Sequence, residues 1–178
     1  MADSATTKRA LAAAMKQLLS SRPFEKINVS DICEICGMNR KSFYYHFQDK
    51  YDLVNWIFQT EYIPTLSREP VRSYWDVIDR LCNYFYDNRR FYFHAFSVQG
   101  QNSFADFFRE TMEPIIAAAT ADQFESSKES GFAVTFYTDA LMASMIRWLS
   151  QRDCISAAEY CRLLRSSLGG GANRLTQT

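Results

Sequence analysis

Apolar side chains recur at three- and four-residue intervals along almost the whole chain, the spacing of helices that bury one face. Leu11, Met15, Leu18 and Leu19 mark such a face in a first helix. Asn28 followed by Asp31 has the capping-box spacing for a second helix, Gly37 ends it, and Asn39 is placed to cap a third beginning at Arg40. Asp49 and Asp52 repeat the arrangement and open a longer helix ending near Pro64, after which Thr65–Arg72, with Pro70, reads as a loop. Ser73 and Asp76 start another helix, carrying Val77, Leu81, Tyr84 and Phe85 on one face. Asp87–Arg90 reads as a joint into a short helix around Phe91–Ser97, and Ser97–Asn102, with Gly100, as a loop. Phe104, Phe107, Phe108, Met112 and Ile115 mark the next helical face. Polar Gln123–Ser130 reads as a loop before two final helices, over Phe132–Gln151 and Ser156–Leu168. Gly169–Thr178, with three glycines and no apolar period, is expected to be a mobile tail. No alternating run lies between hairpin signals, and no internal repeat appears, so the pattern predicts an all-α chain of about nine helices.

Composition adds bounds. A chain of 178 residues, 47% hydrophobic and 22% charged, is ordinary for a globular protein. At that length about 70% of the unfolded surface can be buried, so no disulfide or metal staple is needed. The five cysteines are an odd number. No charged-then-apolar leader opens the chain and no apolar run is long enough to span a bilayer. A reduced, cytoplasmic protein without a membrane partner is expected.

Charge first points away from nucleic acid, since 20 Lys and Arg balance 20 Asp and Glu. The balance is a cancellation. Residues 1–50 hold eight basic and five acidic residues, a net of +3, whereas residues 51–178 hold twelve and fifteen, a net of −3. A modestly basic head precedes a mildly acidic body, and specificity would rest on a few placed side chains.

Those side chains lie in residues 28–50. Two short capped helices joined by a turn at Gly37 make a helix-turn-helix, in which the start of the second helix faces base edges in the major groove. Here that end carries Arg40, Lys41 and Ser42, and Arg40 has the donor geometry for guanine O6 and N7. Tyr44, Tyr45 and His46 follow with groups suited to phosphate, and Lys50 opens the next helix. Ile32, Ile35, Met38, Phe43 and Phe47 are expected to turn inward. The competing reading is a surface helix-turn-helix with scattered charges.

From Lys8 to about Phe58 the chain resembles the DNA-binding domain of the TetR (tetracycline-repressor-like) family of bacterial transcriptional regulators. The likeness is carried by the Phe24–Val29 link, Ile32 to Gly37, Phe43-Tyr44-Tyr45-His46-Phe47, and Asp49-Lys50-Tyr51-Asp52-Leu53. The resemblance implies a homodimer reading a palindromic DNA operator, with Arg40, Lys41 and Tyr45 near bases. Ser30, Tyr44, His46 and Lys50 would hold phosphates or support those that do. It departs from common members at Cys33 and Cys36, where small residues are usual. The Arg89–Phe108 stretch, with Gly100 and Asn102-Ser103-Phe104, looks similar to the subgroup of dihydroxyacetone-kinase operon activators. In that subgroup the signal comes from a protein partner rather than a metabolite.

Elsewhere two readings stand side by side. Cys33-x-x-Cys36 lacks a second ligand pair for zinc and reads as core packing, with redox sensing as the alternative. The Asp106, Glu110, Glu113 row reads as a solvated face. No nucleophile-elbow, phosphate-loop, zinc-protease or dinucleotide fingerprint is present, so neither an enzyme nor a cofactor or metal site is expected. Ten aromatic residues between 84 and 108 serve a helical core or line an effector cavity; the cavity candidates are Phe93, His94, Phe96, Phe107, Phe136 and Tyr137. On the final two helices, Leu141, Met142, Met145, Trp148, Leu149, Tyr160, Leu163 and Leu164 form a stripe that packs either inside the subunit or, as the resemblance implies, across a homodimer. The expected organisation is a DNA-binding domain over residues 1–52, an effector-binding and dimerisation domain over 53–168, and the tail 169–178. Its effector is an unknown small molecule or a protein co-regulator, and a helical interaction module that does not touch DNA is the remaining alternative.

Overall fold

Capping side chains set where most helices begin. The computed structural model describes residues 2–68, 70, 72–98, 103–121 and 126–175, which form α-helices and no strand. In order these are α1 (Ala2–Leu19), a 3-10 turn (Phe24–Lys26), α2 (Val29–Ile35), α3 (Arg40–His46), α4 (Lys50–Glu61) and α5 (Ile63–Arg68). There follow α6 (Tyr74–Asp87), α7 (Arg89–Phe96), α8 (Phe104–Thr120), α9 (Ser127–Ser150) and α10 (Ala157–Leu175). Asn28 and Asp31 exchange both capping-box hydrogen bonds, at 2.9 and 3.0 Å. Ser73 with Asp76 does the same for α6.

The all-α class matches the sequence pattern, with three differences in the elements. The expected loop after Pro64 begins as α5. Proline lacks an N–H but is tolerated in a helix's first turn, where that donor has no intrahelical acceptor, and the Thr65 N–H donates to the Tyr62 carbonyl at 2.8 Å. The expected polar loop over Gln123–Ser130 contains the start of α9, because Ser126 and Glu129 form a third capping box. The last helix continues past Leu168 to Leu175, through Gly169, Gly170 and Gly171. Residues 99–102 of the expected Gly100 loop and residues 176–178 of the expected tail lie outside the described residues.

No linker separates head from body: α4 runs unbroken across residues 52 and 53. Phe58 on α4 is fully buried, with ring centroids at 4.9 Å from Tyr62, 5.6 Å from Phe104, 5.9 Å from Phe85 and 6.0 Å from Phe108. Tyr92 closes the cluster against Phe85 at 4.5 Å and Phe104 at 5.1 Å. These rings bury large apolar areas and favour tilted and edge contacts over flat stacks. Most of the ten aromatic residues between 84 and 108 therefore go into one core. α8 packs along α9, and α6 along α10.

A polar node crosses between head and body. Lys16 on α1 pairs with Glu61 on α4 at 2.8 Å, Glu61 accepts the Tyr84 hydroxyl from α6 at 3.0 Å, and the Tyr84 and Tyr92 hydroxyls share a hydrogen bond of 2.6 Å. Burial raises both phenols well above the ordinary tyrosine range, so they stay neutral donors beside the Glu61 carboxylate.

Candidate nucleic-acid interface

The turn between α2 and α3 is fixed by backbone chemistry. Met38 N–H donates to the Cys33 carbonyl at 2.9 Å and Gly37 N–H to the Glu34 carbonyl at 3.2 Å, the paired bonds of a Schellman motif. Gly37 has φ +63°, a left-handed conformation that side-chain-bearing residues adopt only with strain. Asn39 then caps α3, its side chain accepting the Ser42 N–H at 2.8 Å.

This geometry divides the α3 side chains. Phe43 and Phe47 are buried, as is Ile32 from α2. Arg40, Lys41, Tyr44 and Tyr45 are exposed, Tyr45 at 83%, and Ser42 and His46 are half-buried on the same short helix. The Arg40 guanidinium lies 5.8 Å from the centre of the Tyr44 ring and donates to its hydroxyl at 3.4 Å, while Tyr45 meets His46 edge-on at 4.9 Å. Ser30 is exposed in the first turn of α2. The expectation that Ile35 turns inward is not met: it is 41% exposed at the end of α2, where the Schellman turn leads the chain away from the core.

Lys50 occupies a different position from the other cations. Its ammonium donates to the Phe24 carbonyl at 2.9 Å and the Ile27 carbonyl at 2.7 Å, and lies 4.3 Å from the centre of the Phe24 ring. Burial lowers its pKa from the usual lysine value. Lys50 thus ties the 3-10 turn to the start of α4 and positions the helices that carry the exposed groups.

Cys33 is buried, and the Cys36 thiol donates to the Ile32 carbonyl at 2.9 Å. Burial pushes both thiols up, away from the thiolate form that redox chemistry needs.

The six cavity candidates do not line one common space, although Phe136 and Tyr137 share an open groove of about 510 Å³ with Phe132 on α9. Phe96 is part of the aromatic core, 4.8 Å from Phe104 and 5.4 Å from Phe108, and is 6% exposed. Phe93, His94 and Phe107 are half-buried at its edge. Phe136 is 56% exposed, stacked on Phe132 at 6.2 Å. Only Tyr137 of the six lines the cavity of about 550 Å³ between α6, α8, α9 and α10. Its other walls, among them Tyr74, Trp75, Thr120 and Ser144, carried no sequence signal beyond helical spacing.

Part of the candidate dimer stripe is taken up inside the subunit. Met145, Trp148, Leu149 and Tyr160 are buried within the subunit itself. Trp148 stacks on Tyr160 at 4.2 Å with planes 6° apart, its indole N–H donates to the Ile155 carbonyl at 2.9 Å, and the Tyr160 hydroxyl donates to Ser144 at 2.8 Å. Met142 and Leu164 are half-buried. Among the described residues, the large apolar side chains that α9 and α10 leave exposed are Phe132, Phe136, Leu163 and Leu168, with Ile155 between the helices.

Residues 10–57 match the family described as bacterial regulatory proteins, tetR family, and residues 73–170 match the family described as transcriptional regulator C-terminal region (TetR_C_8). The HTH-type dhaKLM operon transcriptional activator DhaS of Lactococcus lactis subsp. lactis (strain IL1403) is 28% identical over 169 residues, covering 94% of this chain and 82% of the relative. A solved dihydroxyacetone kinase operon activator DhaS shares the fold with a TM-score of 0.67 at 23% identity, over 92% of this chain and 94% of that one. A TetR transcriptional regulator from Streptococcus agalactiae 2603V does so with a TM-score of 0.70 at 18% identity, over 90% and 92%.

Proposed function

Since the chain belongs to the TetR family of bacterial transcriptional regulators, we propose that it binds a palindromic operator as a homodimer and is controlled by an effector acting on the C-terminal body. The observation that carries the reading is the exposed α3 face, where Arg40, Lys41, Tyr44 and Tyr45 stand on a helix fixed by the Gly37 turn. Arg40, Lys41 and Tyr45 approach base edges. Ser30, Ser42, Tyr44 and His46 contact or orient phosphates, and Lys50 holds the head in shape. The functional units are a reading head over residues 1–52 and a body over 53–168, working in the cytoplasm and without catalysis.

Two heads dock together only if their recognition helices sit about 34–36 Å apart, one turn of the duplex. The dimer forms through α9 and α10, whose exposed Phe132, Phe136, Leu163 and Leu168 supply an apolar face. An effector shifts the population toward or away from the competent spacing by its differential affinity for the two states.

Selection of genomic fragments with the full-length protein tests this reading. A palindromic site is expected to emerge, bound by a species of twice 20.6 kDa. Arg40→Ala is expected to relax preference at one position in each half-site, by about 1–3 kcal/mol, with the other positions unchanged. No enriched sequence at low and physiological salt, or a strict monomer at micromolar concentration, overturns the reading.

A further inference from the structure

Arg22, Arg109, Arg162 and Arg165 each pair with a carboxylate, which neutralises part of their charge and occupies the guanidinium fork. Arg40 is held differently. Among the described residues no carboxylate pairs with it, and its side-chain partner is the phenol of Tyr44. The guanidinium lies 5.8 Å from the ring centre and gives an N–H to the hydroxyl at 3.4 Å. A phenol orients the guanidinium and leaves its charge whole for an external acceptor.

The pairing follows from position on the helix. Tyr44 stands four residues after Arg40, and helical side chains lean toward the N-terminus, so the Tyr44 ring reaches back over the preceding turn. The ring is itself anchored. Tyr44 is 49% exposed and meets the fully buried Phe43 edge-on, with centroids 5.5 Å apart. Placement thus passes from the core through Phe43 and Tyr44 to Arg40. Bidentate contact with guanine O6 and N7 uses two of the five guanidinium N–H groups, which leaves donors for the Tyr44 hydroxyl. That hydroxyl keeps its own proton for a phosphate oxygen.

We infer that Tyr44 is a positioning residue for Arg40, and that the two act as one unit that reads a guanine in each operator half-site. The inference rests on the regulator reading above. An arginine free on the surface loses rotamer freedom when it docks and can turn to a phosphate instead; one already held loses less and keeps one register. Adenine presents an amino donor where guanine presents O6, so a guanidinium fixed in this register rejects it. Discrimination at that base pair therefore depends on Tyr44 as well as on Arg40.

The test measures the affinity of the full-length protein for two duplexes: the selected operator, and the same operator with A·T in place of G·C at the position that Arg40→Ala relaxes. The parent is expected to prefer guanine there by roughly tenfold or more. Tyr44→Ala is expected to reduce the preference to about threefold or less, with Tyr44→Phe, which keeps the ring and loses the hydroxyl, in between. The Arg40→Ala, Tyr44→Ala double variant is expected to match Arg40→Ala alone at this position, because two side chains acting as one unit are not additive. Preferences at other positions and the salt slope are expected to stay as in the parent, since a phenol brings no cation to the phosphates. If Tyr44→Ala weakens both duplexes by the same factor, Tyr44 is a phosphate contact or a support of the fold, and the inference is overturned. A loss of preference that adds to that of Arg40→Ala overturns it too. If Tyr44→Ala melts early, Tyr44→Phe decides, and a guanine preference equal to the parent's then overturns the inference. Failure of selection to yield any operator overturns the regulator reading and this inference with it, whereas an operator whose guanine preference ignores Tyr44 overturns this inference alone.

Discussion

On α3 the exposed aromatics stand beside nitrogen-bearing polar side chains, whereas on α9 they stand beside one another. Tyr44 lies under the Arg40 guanidinium and Tyr45 against His46, but Phe132 is stacked on Phe136. The large apolar side chains exposed among the described residues fall in two places: Ile35, Tyr44 and Tyr45 on the head, and Phe132, Phe136, Ile155, Leu163 and Leu168 on or between the last two helices. The chemistry differs in kind. A tyrosine has a polar tip that works at a wet, charged surface such as a phosphate backbone. Phenylalanine and leucine offer only area to be dried, which suits a protein contact. Exposure alone thus says little until the neighbours of the exposed group are named.

The largest effect that tests this contrast comes from a residue belonging to neither surface. Trp148 is 2% exposed, between Tyr160 and Tyr86, with its indole N–H bonded to Ile155. Trp148→Ala is expected to lower folding stability by about 3–5 kcal/mol, measured by urea unfolding at concentrations where only the monomer is present. A variant with an intact monomer and a lost dimer would return Trp148 to the interface. Next in size is the α9 face itself. Phe132 is 74% exposed, and the Phe132→Ser, Phe136→Ser double variant is expected to weaken dimerisation by about 2 kcal/mol or more. Sedimentation reads the dimer, and the monomer's own unfolding is expected to stay within about 0.5 kcal/mol.

On the head, the corresponding test is Lys50. Its two bonds to backbone carbonyls and its place over Phe24 make it a strut. Lys50→Met is expected to cost about 1–3 kcal/mol of stability and to speed hydrogen exchange over residues 24–29. The slope of operator affinity against salt is expected to stay unchanged. A phosphate ligand would instead reduce that slope by about one unit on removal.

The head was legible because its signals are local. Asn28 with Asp31, Gly37, and Asn39 each act within a few residues, and together they fix which way Arg40 and Tyr45 face. The body was legible as helices but not as surfaces. A stripe such as Met145, Trp148 and Leu149 reports that one face of α9 is buried, and carries no mark of whether its own subunit or a partner buries it. The cavity was invisible for the same reason, because Trp75, Thr120 and Ser144 meet only once α6, α8 and α9 are packed. Lys16 and Glu61 are 45 positions apart, and no spacing rule connects them.

Capping is the feature the two regions share, and it gives the smallest and most specific effect. Asp76 accepts the Arg72 N–H at 2.7 Å and the Ser73 N–H at 3.2 Å, and these bonds hold its carboxyl below the usual range. A carboxylate whose folded pKa is depressed contributes stability that is present above its unfolded value, about 3.9, and is lost as pH falls through the folded value. Asp76→Asn is therefore expected to be less stable than the parent at neutral pH, with the gap constant down to about pH 4 and narrowing below it. Thermal unfolding of both proteins between neutral pH and pH 3 measures this, and a gap independent of pH would assign the effect to the shape of the side chain instead of its charge. Because Ser73 and Asp76 repeat in the body the arrangement of Asn28 and Asp31 in the head, a pH-dependent gap would show that the same local device starts helices in both regions. What then separates the regions is tertiary: which groups each helix, once started, is left to face.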